Sequence, residues 1–425
     1  MSIIELFAAA LFALALIHSF STGYFQRLEQ RHPKHAGLFH LLGEVELVFG
    51  FWSVLLIAAM AWLEGPAKAI GYAESRQYTE PLFVFVIMVI AASRPVVSNI
   101  EALIASIASR LPLRAAPAQV WLCLALLPLI GSLITEPAAM TLAALMLGPL
   151  VFRPGIPERL KYGALGVLFV NISIGGTLTA FAAPPVLMVA ANWNWDNAFM
   201  ASQFGWKAMI AVLINATAIT FMLRQHLHDA DAAIAAPAAP AAPALPVPRL
   251  LSLIHFALLA GVILFAHHPV IFIGLFLLFL GIAQAYASHQ NKLVLKEALL
   301  VGLFLGGLLL LGGMQQWWLQ PIVAGLEPAA LFFGALGLTA FTDNAALTYL
   351  GSLIEGISDP AKYMLVAGAV AGGGMTVIAN APNPAGVALL KQGFQDASIS
   401  AAGLAAGAAL PTVVAAAVFW LPGLP

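Results

Sequence analysis

Two acidic tripeptides, Thr135-Glu136-Pro137 and Thr342-Asp343-Asn344, stand inside apolar stretches in opposite halves of the chain, each leading into Ala-Ala. A carboxylate at membrane depth costs roughly 2.5–3.5 kcal/mol even on lenient insertion scales, so such acids mark ion or proton pathways. A hard cation such as Na+ takes oxygen ligands, and a carboxylate can carry either that cation or a proton. Burial disfavours the charged form of a carboxyl group and brings its protonation toward physiological pH. Competition between H+ and Na+ for one such group is enough chemistry for exchange. Glu136 and Asp343 are therefore the candidate ion- and proton-binding residues, with Thr135, Thr342 and Asn344 beside them. The competing role for either acid is capping a half-helix N-terminus.

Each tripeptide precedes a glycine-rich interruption of a later apolar segment. The first reads Gly175-Gly176-Thr177-Leu178-Thr179 followed by Pro184-Pro185; the second reads Gly372-Gly373-Gly374-Met375-Thr376 followed by Pro382-Asn383-Pro384. In a helix interior each glycine costs about 1 kcal/mol and each proline about 3 kcal/mol relative to alanine, so both helices should break here. Non-helical backbone at that depth is tolerated where it lines a polar cavity or is buried in protein. Unwound carbonyls could ligate a small cation, joined by Thr177, Thr179, Thr376, Asn380 and Asn383. Asn171, one turn before Gly175, is a further helper. The alternative is that Gly and Pro only permit close helix packing.

The elements that must position these groups are membrane helices. The 425 residues are 61% hydrophobic and 9% charged, with a mean hydropathy of +0.94. Soluble domains run near 25% charged residues, which excludes a soluble enzyme. A net charge of −1 argues against a nucleic-acid surface. Cys123 is alone, so there is no disulfide framework. The first apolar run has Glu5 near its start, lacks a basic leader and reads as a retained helix. No Gly-Lys dipeptide, and hence no Walker A loop, is present.

An Ala/Pro-rich linker over 230–248 separates a first repeat, 1–229, from a second, 249–425. Each half reads as three helices, a re-entrant hairpin, a broken helix and a closing helix: an all-α polytopic membrane protein. The hairpins fall at about 117–151 and 327–355, the broken helices at about 161–192 and 361–391. Glu136 pairs with Asp343 at an offset of 207 residues, and Gly175 with Gly372 at 197. Hairpin arms of 13–15 residues would reach about 20 Å, past the midplane of a roughly 30 Å hydrocarbon core but short of its far side. Five crossing helices per half make the two repeats inverted. With both termini outside, only Lys68, Arg76, Lys207 and Lys362 of the 18 basic residues face outward, as the positive-inside rule requires. Residues 95–115 alternate polar and apolar at helical spacing and suit an arm helix at the cytoplasmic interface.

Glu44, Glu46, Glu80 and Glu297 are expected at helix starts or interfaces, outside the site. His18 and His255 are expected to be satisfied packing residues.

At GSLITEPAAMT and AFTDNAALTYLGSLI, and at NISIGGTLTAFAAPPVLM and GGGMTVIANAPNPAGVALL, the chain resembles the ion transporter superfamily. That group includes sodium/proton antiporters, arsenite pumps and divalent-anion:sodium symporters. Over nearly its whole length it most resembles the family of putative Na+/H+ antiporters of bacterial inner membranes. The resemblance implies a scaffold that often forms homodimers and a moving unit of hairpins and broken helices. The anion symporters carry Ser-Asn-Thr at both hairpin tips, where this chain has acids, and no arginine lies at site depth. The expected function is Na+/H+ antiport with no cofactor. The alternatives are Na+- or H+-coupled symport of an organic anion or oxyanion, and an ion-translocating or scaffold subunit of a larger complex.

Overall fold

The computed structural model describes residues 2–44, 47–227, 245–323 and 325–422. Most of the 230–248 linker and Glu46 lie outside them, as does the side chain of Glu80. The described chain is helical throughout, with no strand. The protein is a polytopic all-α membrane protein.

Three apolar helices open the chain: α1 (Ile3–Arg31), α2 (Val48–Glu64) and α3 (Thr79–Ala91). A Ser2/Glu5 capping box starts α1. The amphipathic α4 (Arg94–Ala108) follows α3 at a bend of 64°. It buries Val96, Ile100, Ile104 and Ala108, a stripe at i, i+4 spacing that fixes which side faces the protein. A separate helix thus stands at the position of the expected arm, although it ends before residue 115.

The first hairpin is α5 (Ala115–Ile134) against α6 (Glu136–Val151), with Thr135 alone as the turn. Next come the half-helices α7 (Glu158–Gly175) and α8 (Pro184–Trp193), then α9 (Trp206–Leu223). A second set of helices follows. Helices α10 (Arg249–Leu264), α11 (Pro269–Ala285) and α12 (Leu295–Gly312) lead to the hairpin α13 (Pro328–Thr339) and α14 (Asn344–Ser352). The half-helices α15 (Asp359–Gly372) and α16 (Asn383–Leu390) and the closing α17 (Ala401–Phe419) complete it. Short helices at Pro66–Glu74 and Gln316–Val323, not expected from sequence, join the long ones.

Two bodies result. Helices α1, α2, α3, α10, α11 and α12 pack on one another, with Gly307 of α12 pressed on the backbone of Phe49 and Gly50 in α2. Hairpins, half-helices and closing helices form the other body, where α7 packs along α17 and α13 along α15. The halves interlock there: α6 lies on α16, and α14 lies on α8. Each hairpin's second arm thus rests on the other half's second half-helix.

One expectation on length is corrected. The first arm of hairpin one has 20 residues, long and apolar enough to cross a bilayer by itself. Proline at 128 is accommodated inside that helix, so the arm does not stop where a 13–15-residue estimate places it. The arms of hairpin two, at 12 and 9 residues, are short as expected.

Candidate functional site

Both breaks are present and their prolines start helices. Pro184 and Pro185 open α8, while Pro382 caps α16 and Pro384 sits in its first turn. Proline suits such positions because the missing N–H would be unpaired there in any case. Gly175 and Gly372 each close the first half-helix, and each lies hard against the first arm of its own hairpin. A Cβ on Gly175 would strike the Pro128 carbonyl, and one on Gly372 the Leu336 carbonyl.

Hydroxyl bonds then sew each break to the same arm. Thr179 Oγ1 donates to the Ser132 carbonyl at 2.7 Å, and Thr376 Oγ1 to the Ala340 carbonyl at 2.9 Å. Ser132 Oγ donates to the Gly175 carbonyl at 2.7 Å and accepts from the Leu178 amide at 3.0 Å. Thr177 Oγ1 bonds only locally, to the Ile174 carbonyl. These contacts match Pro128 with Leu336 and Ser132 with Ala340, a register of 208 residues rather than 207. In that register Glu136 corresponds to Asn344, each the first residue of its second arm. Thr135 corresponds to Asp343, and the sequence pairing of the two acids is off by one residue.

The two acids are held differently. Asp343 is half-buried and caps α14: its Oδ1 accepts from the amides of Ala345 at 2.8 Å and Ala346 at 3.1 Å. It lines a cavity of about 30 Å³ together with Thr342, Asn380 and the α1, α2 and α12 side chains Leu16, Phe49 and Phe304. No lysine or arginine lines that cavity. Glu136 is fully buried. Its Oε2 accepts from Asn380 Nδ2 at 2.8 Å, across the two halves, and its Oε1 has no partner. Asn380 therefore touches one acid and lines the cavity of the other.

Glu136 Oε1 is one of several such atoms. Thr135 Oγ1, Thr339 Oγ1 and the Oδ1 atoms of Asn344, Asn380 and Asn383 are also buried without a hydrogen-bond partner. Buried acceptors are normally satisfied, so unsatisfied oxygens in the tips and breaks, Asn380 on Glu136 among them, suit a ligand, and oxygens suit a hard cation. The freed carbonyls, by contrast, are largely taken by the protein. Asn383 Nδ2 donates to those of Gly373 and Thr376 at 2.8 and 2.9 Å, and the Asn344 amide to that of Ala379 at 3.1 Å. Asn344 Nδ2 reaches Ser173 Oγ at 3.4 Å, and Ser173 Oγ donates to the Val370 carbonyl at 2.8 Å.

Close backbone approach makes this possible. A Cβ on Gly176 would fall on the Glu136 carboxylate, one on Gly373 on Ser173 and Asn344, and one on Gly374 on the Val170 backbone. The turn at Thr135 is strained, with φ of 89° on a β-branched residue. Such backbone costs about 1–3 kcal/mol and collects at functional sites.

Asn171 lies away from the acids. Its Nδ2 donates to the carbonyls of Leu124 and Val212, and its Oδ1 accepts from Asn215 at 3.0 Å, bridging α5, α7 and α9. His18 bonds Leu42 and Trp52, and His255 bonds Leu251 and Gln290, both as packing residues. Ser132 and Ser173 were not singled out from sequence. Their signal was proximity: Ser132 stands three residues before the tip, and Ser173 two before the first glycine.

Residues 3–422 match the model of the family described as "Putative Na+/H+ antiporter". The chain belongs to this family. Membership in a Na+/H+ antiporter family favours transport over catalysis and agrees with the multi-pass helical architecture. The antiporter-family chain is also similar to a solved structure, the Alcanivorax borkumensis YdaH transporter. The two share 14% identity over 88% of this chain and 96% of the other, with a TM-score of 0.46. No curated protein matches this antiporter-family chain.

Proposed function

We propose that this chain is a cation/proton antiporter, exchanging Na+ for H+ at Glu136 and Asp343. The observation that carries the reading is Glu136. A fully buried carboxylate has one oxygen on Asn380 and the other with no partner, among further unsatisfied buried oxygens. A buried carboxylate is costly as an uncompensated anion, so it holds either a proton or a metal cation. Na+ would draw on Glu136 Oε1 and the amide oxygens of Asn344, Asn380 and Asn383. Thr135, Thr342, Thr179 and Thr376 shape the tips and breaks around them. Asp343 would take the second charge from its cavity, with Asn380 relaying between the two.

The cavity at Asp343 supports an ion over an organic anion. At about 30 Å³ it holds a bare ion or one to two waters, and no cationic side chain lines it to receive a carboxylate substrate. In this reading the matched contacts of the two halves are those of inverted repeats, with both termini outside the bacterial inner membrane. The α1–α3 and α10–α12 body would be the scaffold, at which copies would pair as homodimers.

Proteoliposomes holding a pH gradient test the proposal. Addition of Na+ should dissipate the gradient in the wild-type chain and leave it intact in Glu136→Gln. If Na+, Li+ and K+ all have no effect while a carboxylate is taken up, the antiporter reading fails and coupled anion transport replaces it.

A further inference from the structure

A second, much larger chamber of about 640 Å³ lies between the α3 and α10 side of the scaffold and the first broken helix. Its volume falls within the roughly 300–1,000 Å³ of small-molecule pockets. Nothing in Na+/H+ exchange requires it, since a bare ion gains nothing from apolar walls. We infer that this chamber binds an amphipathic organic cation, an ammonium carried on an aromatic or apolar body. The inference goes beyond the antiport reading and does not depend on it.

The walls define the ligand. Phe83 and Phe181 meet edge to face, with ring centroids 6.2 Å apart, and the buried Trp195, stacked on Phe199, backs the wall. Aromatic faces attract a cation that brings its own apolar area, and Trp does so best. Asp196 is the sole carboxylate lining the chamber, and no lysine or arginine lines it; His267 is the other ionisable group. Asp196 is exposed, and its Oδ1 accepts from the Phe199 amide at 2.7 Å, which restrains the carboxylate. One charge next to an aromatic surface matches a monocation of this kind.

The chamber also reaches the first break. Ala180 and Phe181 belong to the unwound stretch after Thr179, and Asn197 Oδ1 accepts from the Ala180 amide at 2.9 Å. An occupant there stands between α3 and α10 on one side and the first broken helix on the other.

Phenyltrimethylammonium is the probe, titrated calorimetrically into the full chain in detergent. Its uncharged isostere tert-butylbenzene and the anion benzenesulfonate serve as controls. We expect the ammonium to bind and both controls to fail to compete. Asp196→Asn should weaken binding about tenfold, as loss of one charge contact predicts. Asn is as good an N-cap as Asp, so that variant keeps its fold. Phe181→Ala should weaken binding as well. No binding of the ammonium at millimolar concentration, equal binding of tert-butylbenzene, or unchanged affinity in Asp196→Asn would each overturn the inference. Because the readout is binding and not flux, a failed Na+/H+ assay leaves this result untouched, and the reverse holds.

Discussion

Replacing Asp343 by Asn keeps an oxygen that accepts from the amides of Ala345 and Ala346, whereas Asp343→Ala removes it. Both lose the charge, but only the alanine variant loses the cap, worth about 1 kcal/mol. Proton flux should therefore fall in both, while the thermal midpoint drops in Asp343→Ala alone. A matching drop in Asp343→Asn would show that the charge itself holds the fold. Gly176→Ala separates backbone from side chain in the same way. Its φ of −69° suits alanine, but the new methyl occupies the place of the Glu136 carboxylate. The variant should fold and lose Na+-driven flux; normal flux would mean that Glu136 has room to move and that the close approach is incidental. Thr135→Gly should raise the thermal midpoint by relieving a positive φ, since a strained position costs about 1–3 kcal/mol. An unchanged midpoint would show that the tip is not strained.

Hairpins and breaks are tied by a few hydroxyls, and Ser132 carries the most. Its Oγ satisfies both the Gly175 carbonyl and the Leu178 amide, so Ser132→Ala leaves two groups unpaired, each at about 1–3 kcal/mol. Hydrogen exchange should speed up over residues 176–179 in that variant and stay unchanged in the second break. Where these helices start and stop was legible in the sequence because Gly and Pro clusters punctuate long apolar runs. The register at the tips was not legible. Hairpin one turns on the single residue Thr135, whereas residues 340–343 separate the arms of hairpin two. No local signal marks a threonine that takes a positive φ. Nor could the sequence show that Asn380 of the second break serves Glu136 of the first hairpin, because that contact exists only after the halves interlock. The bridging bonds of Asn171 were not legible for a related reason: a polar residue one turn from a break is as well suited to bridging three helices as to holding an ion.

The described chain holds one cysteine, Cys123, and it is buried, so Cys123→Ala gives a quiet background for mapping orientation. Single cysteines at Arg114 and Lys362 should react with an impermeant thiol reagent from opposite sides of the membrane, Lys362 from outside. Labelling of both from one side would rule out inverted repeats with both termini outside. Interlocking also sets the order in which the molecule can be completed. Asn380 is synthesised 244 residues after Glu136, about 12–50 s later at ordinary translation rates. Throughout that interval hairpin one carries an acid whose amide partner has not been made, so the first half has no settled resting place of its own in the bilayer. An arrested chain ending in the linker would display that acid permanently. Quality-control proteases of the membrane could then tell it from the finished protein by a single unsatisfied carboxyl group.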